Sequence, residues 1–269
     1  MREKALLLLE GIDDPVLKLN LLREYLQVFT LRSLQESEAF TNLSFAGGTA
    51  LRFLFGLPRF SEDIDFSLEH TEGYALRPWS AKLRRDLEYA GFQSSLSLRE
   101  QGTVHTVWIR TAALLRDAGL AAMPGQKLAI KVEIDTRPPA GAICHKRLVT
   151  RHLAFVVQHH DLPSLMAGKI HALVTRKYTT GWDWLDLLWY RGRRPPVEPN
   201  LELLQNAFLQ TEGEAARDAA DWSSWVAERA RITDFEAVAK DIHPFLERRE
   251  DAFLMERENI LSVLPIDTT

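Results

Sequence analysis

Ser44-Phe45-Ala46-Gly47-Gly48-Thr49-Ala50-Leu51, followed by Arg59-Phe60-Ser61-Glu62-Asp63-Ile64-Asp65-Phe66, is the stretch whose reading decides the fold. A glycine pair that can open a helix precedes two aspartates set one residue apart in an alternating run. Residues i and i+2 of a strand share a face. Asp63, Asp65 and Ser67 therefore point one way, and Ile64, Phe66 and Leu68 the other. The apolar side is the one a sheet buries, which pushes the two aspartates together on the open side. Carboxylates that close repel each other unless one is protonated or a cation sits between them. A divalent metal resolves the repulsion. Hard oxygen donors used sparingly suit magnesium, which keeps several waters and meets substrate phosphates.

The glycines fit the same picture. Gly47 and Gly48 permit backbone angles closed to other residues and let the chain come close to a ligand. Thr49 to Phe55 then reads as a short helix stopped by Gly56. N–H groups at a helix start form an anion site, and a triphosphate is the anion expected beside a metal. Each piece alone has a plainer reading: a turn for Gly-Gly, a solvated strand face for Asp-x-Asp. Their order within one strand–turn–helix–strand unit favours an active site.

The chain has 269 residues, enough for one large or two smaller domains. With 46% hydrophobic and 26% charged residues it has the composition of an ordinary globular protein. The single cysteine, Cys144, forbids an internal disulfide and argues against a cysteine-rich zinc site; a buried or half-buried thiol is the expectation. No stretch resembles a signal peptide or approaches the ~20 apolar residues of a membrane span, so a cytoplasmic protein is expected. A net charge of −4 argues against non-specific coating of nucleic acid, while leaving room for a local basic patch.

Asp13-Asp14-Pro15 is a helix start, and Leu17, Leu21, Tyr25, Val28 and Phe29 recur at helical spacing, giving a helix over about 15–36. A second helix is read over 78–90, ended by Gly91, and strands over about 92–99 and 103–111. His105 on the second of these is read as packed or solvated. From 127 to 136 the alternation is strict: Leu128, Ile130, Val132 and Ile134 on one face, Lys131, Glu133 and Asp135 on the other. This strand offers the third carboxylate a metal site requires, as Glu133 or Asp135; the plainer reading is a solvated acidic face. A variable segment runs from Arg137-Pro138-Pro139-Ala140-Gly141 to about Val157, and a soft boundary falls near 158.

Beyond it the pattern is helical. A helix over about 163–178 carries Lys169, with Arg176 on the same face. Such a lysine binds phosphate as a point charge or is simply a surface lysine. Asp183 and Asp186 share a face of the next helix. Arg191, Arg193 and Arg194 follow Trp182 and Trp184; they suit RNA, and equally a helix C-terminus. Helices over about 198–211, 215–230, 233–247 and 250–263 read as a bundle whose core takes Trp222, Trp225, Phe235, Phe245 and Phe253.

Gly47-Gly48-Thr49-Ala50-Leu51, Arg59 and Ser61-Glu62-Asp63-Ile64-Asp65-Phe66 together resemble the signature of the AbiEii/AbiGii toxin family. That family includes the MenT-type toxins and belongs to the DNA polymerase β-like nucleotidyltransferases. The likeness is specific over about residues 44–68 and returns over about 163–190. It implies an α+β fold: a nucleotidyltransferase domain over 1–157, a mixed sheet flanked by helices, and a helical C-terminal domain over 158–269. It implies attack of an acceptor hydroxyl on the α-phosphorus of a nucleoside triphosphate, releasing pyrophosphate, with Mg2+ or Mn2+ on Asp63, Asp65 and a third acid. Glu133, between Val132 and Ile134, matches the apolar-acid-apolar context of that third acid and is favoured over Asp135. By the same carry-over, Gly47, Gly48, Thr49, Arg59, Ser61, Lys169 and Asp183 bind the nucleotide. Lys169 and Asp186 join Asp63, Asp65 and Glu133 in catalysis, Asp186 assisting the chemistry or positioning Lys169. Trp182 stands where relatives often carry a basic residue. The resemblance further implies a toxin acting on tRNA and neutralised by an antitoxin protein. The rivals are a nucleotidyltransferase that modifies an antibiotic or a protein, and an inactive binding module.

Overall fold

The computed structural model describes residues 1–123, 125–177 and 181–265. In chain order the elements are α1 (Arg2–Leu7), α2 (Pro15–Glu36), β1 (Leu43–Ala46), α3 (Gly47–Phe55), β2 (Ile64–Leu68), α4 (Leu76–Tyr89), β3 (Gln93–Arg99), β4 (Val104–Ala112), α5 (Leu114–Asp117) and β5 (Leu128–Asp135). There follow β6 (Cys144–Val149), β7 (Phe155–His160), α6 (Leu162–Thr175), α7 (Gly181–Gly192), α8 (Leu201–Glu212), α9 (Trp222–Ile232), α10 (Phe235–Ile242) and α11 (Arg257–Ser262). The chain forms two compact units. One takes Met1–Phe55, Phe60–Arg137 and His145–His159; the other takes Gly56–Arg59, Pro138–Cys144 and the chain from His160 onward.

The first unit is built on a mixed sheet in the order β3-β4-β5-β2-β1-β7-β6. β2 runs antiparallel to β1 and parallel to β5, while β4 is antiparallel to both β3 and β5. Along β2 and β5 every second residue is buried, and Ile64, Phe66, Leu128, Ile130, Val132 and Ile134 enter one core with Leu22, Leu26 and Phe29 of α2 and Leu83 and Leu87 of α4. Burying one face this completely fixes strand register, because a one-residue slip would turn every side chain over. Asp14 caps α2 by accepting from the Val16 and Leu17 amides, with Pro15 in the first turn.

Strand β6 lies in the segment read from sequence as variable, and β7 crosses its end near Val157. Most of β6 is exposed, and its His145-Lys146-Arg147 run shows no alternation. A charged edge of this kind blocks further strand pairing. Cys144, expected buried or half-buried, is exposed on this strand.

In the second unit Asp161 caps α6 by accepting from the Ser164 amide, and α6 packs on α7, α8 and α9. The helix ends at Thr175; residue 178, its expected end, lies outside the described residues. The start of the helix expected at 215–230 is instead two 3-10 turns, Gly213–Ala215 and Ala219–Asp221, before α9. Likewise 250–263 splits into the 3-10 run Arg249–Leu254 and α11. Phe253, expected in the core, is 65% exposed, while Trp222 and Phe235 are buried as expected.

Candidate active site

Three strands and one turn assemble the acidic site in the first unit. β1 ends at Ala46, which pairs with Asp65, and Asp65 pairs on its other side with Glu133. Asp135 pairs with Ser67, one strand repeat away. Of the two candidate third carboxylates, Glu133 thus lies beside an aspartate and Asp135 beside a serine. Asp135 accepts instead from the Arg137 amide at 2.9 Å. Asp63 sits just before β2 rather than within it.

Gly47 begins α3 with φ +71°, a left-handed conformation. A Cβ at this position would fall 2.0 Å from Asp65 Oδ2. Both conformation and space therefore require glycine, and the first turn of α3 is set directly against Asp65. Gly48 is buried within that turn. Thr49 is fully buried, and its hydroxyl donates to the Asp63 carbonyl oxygen.

The approach to Asp63 is held residue by residue. Gln27 Nε2 donates to the carbonyls of Ser61 and Glu62, each at 2.9 Å, and Thr49 takes the next carbonyl, that of Asp63. Arg23 pairs with Glu62 at 2.9 Å. Sequence reading missed Gln27 and Arg23. The signal was present in Gln27, a lone amide between Leu26 and Val28: a buried amide must find partners.

Burial is the main force raising the Asp63 carboxyl to about 6; Lys131 and, less strongly, Arg23 oppose the rise, and Glu133 and Glu62 add to it. Lys131 Nζ lies 2.7 Å from Glu133 Oε1, so this cation is already engaged by a neighbouring acid. Asp63, Asp65 and Glu133 supply only carboxylate oxygens, the donor chemistry that suits magnesium or manganese. The residues present fit such a metal.

The remaining expected residues form a separate network in the second unit. Arg59, 2% exposed, is bidentate to the fully buried Asp186, with Nε–Oδ1 and Nη2–Oδ2 both at 2.7 Å. Lys169 Nζ donates to Asp183 and Asp186, each at 2.8 Å, and Arg176 reaches Asp183 at 3.2 Å. Burial works against both charges. The two aspartates nevertheless hold Lys169 above its ordinary value, and Arg59 followed by Lys169 hold Asp186 below the usual carboxylate range. The Arg59 guanidinium also lies over the Trp182 ring, at 4.7 Å.

Arg191 does not belong to a surface patch with Arg193 and Arg194. It is buried, donates to the Val263 and Val197 carbonyls and pairs with Glu198. No helix among the described residues is long and apolar enough to cross a membrane.

A family model described as nucleotidyl transferase AbiEii toxin, type IV toxin–antitoxin system, matches residues 30–259. Two solved structures share the fold. A candidate nucleotidyltransferase from H. pylori superposes with a TM-score of 0.51 at 16% identity, covering 87% of this chain and 92% of its own. The JHP933 protein from Helicobacter pylori gives a TM-score of 0.51 at 16% identity, over 91% of both chains. No curated protein matches the chain. The chain belongs to the AbiEii family of nucleotidyltransferase toxins of type IV toxin–antitoxin systems.

Proposed function

We propose that this protein transfers a nucleotide from a nucleoside triphosphate to an RNA acceptor, tRNA, with release of pyrophosphate. The single observation that supports this most is the register Ala46–Asp65–Glu133, with the helix start at Gly47 pressed against Asp65. It sets an anion-binding backbone beside the carboxylates of Asp65 and Glu133. Asp63, Asp65 and Glu133 would hold magnesium or manganese, which when bound supplies charge neutralisation for the reacting phosphorus. The α3 amides orient the triphosphate. Gln27 and Thr49 keep the Asp63 backbone from yielding as charge builds. Glu133 accepts the proton of the attacking hydroxyl, with Lys131 fixing its carboxylate. Lys169 is a further phosphate contact whose ammonium Asp183 and Asp186 position, a role that rests on the family resemblance. Ser61, Gly48 and Thr49 act by shaping the backbone. Membership of a type IV toxin–antitoxin family implies a cognate antitoxin, and the tRNA reading places the protein in the cytoplasm.

The test is to incubate the protein with magnesium, each labelled nucleoside triphosphate and, separately, total tRNA, aminoglycosides and cell protein. Label is expected on tRNA and is expected to vanish in Asp63→Ala and Lys169→Ala. Glu133→Gln should cost far more transfer than Asp135→Asn; the reverse ranking moves the base to Asp135. Label on an antibiotic or a protein, with none on tRNA, would overturn the RNA acceptor while leaving the nucleotidyl transfer standing.

A further inference from the structure

The acidic site does not end the open face of the sheet. β4 is antiparallel to β5 and places Thr106 opposite Glu133 and Trp108 opposite Lys131; β3 in turn places Ser97 opposite Trp108 and Arg99 opposite Thr106. Paired residues share a face, so Trp108, Arg110, Ser97 and Arg99 continue outward from Glu133 on the side of the sheet that the core leaves uncovered. The burial pattern agrees. The alternate residues Val107 and Ile109 are buried in the core; on the other face Thr106, beside Glu133, is buried, Trp108 and Arg110 are half-buried, and Ser97 and Arg99 are exposed.

Trp108 is set up as a platform. The Arg110 guanidinium lies over its ring, 5.2 Å from the centroid, and Lys131 Nζ lies 5.8 Å from the same centroid. Arg110 is steadied by a 2.9 Å hydrogen bond to Ser97 Oγ. A core tryptophan serves packing, but this one spends its ring on an open face among cations. An aromatic plane flanked by positive charge is the chemistry that takes an unpaired base and its phosphates.

Position on the sheet decides which substrate this is. The glycine turn and the start of α3 lie on the β1 side of Asp65; Glu133 and Trp108 lie on the β5–β4 side. An in-line displacement needs the attacking and leaving oxygens on opposite sides of the phosphorus. With the triphosphate at α3, the attacking hydroxyl comes from the β5 side. Trp108 is the diagonal neighbour of Glu133 across the β4–β5 pair, a separation of roughly 7–8 Å between Cα atoms. We infer that β4 and β3 form the acceptor platform: an unpaired polynucleotide end stacks a base on Trp108, Arg110 and Arg99 meet its phosphates, and its terminal hydroxyl is delivered to Glu133. This rests on the RNA-acceptor reading above and deepens it.

The test has a binding arm that needs no transfer. A labelled single-stranded oligoribonucleotide is titrated by fluorescence anisotropy against the parent, Trp108→Ala, Trp108→Phe and Arg110→Ser/Arg99→Ser, without nucleotide and at two salt concentrations. Trp108→Ala is expected to weaken binding by roughly tenfold and Trp108→Phe to retain most of it, because any aromatic ring stacks. The arginine pair should weaken binding and flatten its salt dependence. In the transfer arm, Trp108→Ala should raise KM for the RNA by a similar factor, with KM for the nucleotide unchanged. Equal binding by parent and Trp108→Ala would overturn the platform. A rise in nucleotide KM instead would also overturn it, assigning the ring to the nucleotide base. A parent that binds the oligonucleotide through Trp108 yet labels no RNA leaves the platform standing and removes the RNA-transfer reading.

Discussion

Two sets of buried or half-buried carboxylates in this molecule are handled in opposite ways. In the helical unit, Asp186 is fully buried and meets Arg59 and Lys169 in near-ideal geometry, with Arg176 added through Asp183. Three cations stand against two carboxylates there, so the protein itself compensates every acid. On the sheet, Asp65 pairs with Glu133, which engages Lys131, and Asp63 just before β2 is raised to about 6 by burial against the opposing pull of Lys131 and Arg23. The difference is instructive because both sets are aspartate-rich and look alike as sequence. Compensated acids hold a structure together; a carboxyl that burial raises, as at Asp63, is a candidate for chemistry.

The largest stability effect is expected in the compensated set. Asp186→Asn leaves Arg59 and Lys169 buried without their shared partner and should cost about 3–5 kcal/mol in urea unfolding. A loss under ~1 kcal/mol would put Asp186 in the same class as the sheet acids. Glu24 offers a second compensated acid, 2% exposed and hydrogen-bonded by Arg52, Arg151 and His152. Burial would push it up, but the His152 hydrogen bond, then Arg52 and Arg151, overcome this and hold it at about 2. Its pKa is depressed on folding, so its stabilisation is complete above pH ~4.5 and is lost as pH falls towards 2. That stabilisation is about 3 kcal/mol. Glu24→Gln should therefore flatten the acid limb of the stability curve; an unchanged limb would remove Glu24 from the compensated set.

Smaller effects are expected at the sheet. Gly47→Ala combines a left-handed φ with a Cβ 2.0 Å from Asp65 Oδ2, so it should cost about 2 kcal/mol and displace Asp65. Loss of stability with transfer intact would show that the close approach is structural only. Asp63→Asn should have the opposite sign. A raised carboxyl opposes folding once ionised, progressively from pH ~4 to ~6 and fully above. In chelator at pH 7 the variant should melt roughly 2–4 °C higher than the parent, and the gap should close by pH 4. A lower melting point at pH 7 would mean that Asp63 is compensated after all.

The alternating strands were the most legible part of the chain. Period-2 burial along β2 and β5 follows directly from Ile64-Asp65-Phe66 and Ile130–Ile134, because only one face of that sheet enters the core. The pairing that sets Glu133 beside Asp65 was not legible, since register between distant strands depends on the whole core. β6 was missed because an exposed edge has no reason to alternate. Phe253 was misjudged because an apolar residue on a 3-10 run carries no periodicity to say which way it faces. Gln27 showed itself as an oddity on a buried helix, but its partners, carbonyls more than thirty residues away, exist only in the folded chain.

The central claim is that the sheet acids serve chemistry and not stability, and transfer by Asp65→Asn tests it most directly. With far-UV circular dichroism confirming an unchanged fold, the rate of nucleotide transfer to tRNA should fall on the order of a thousandfold or more, because in the proposed mechanism a neutral amide replaces a charge that would hold the metal. A rate within tenfold of the parent would contradict the account.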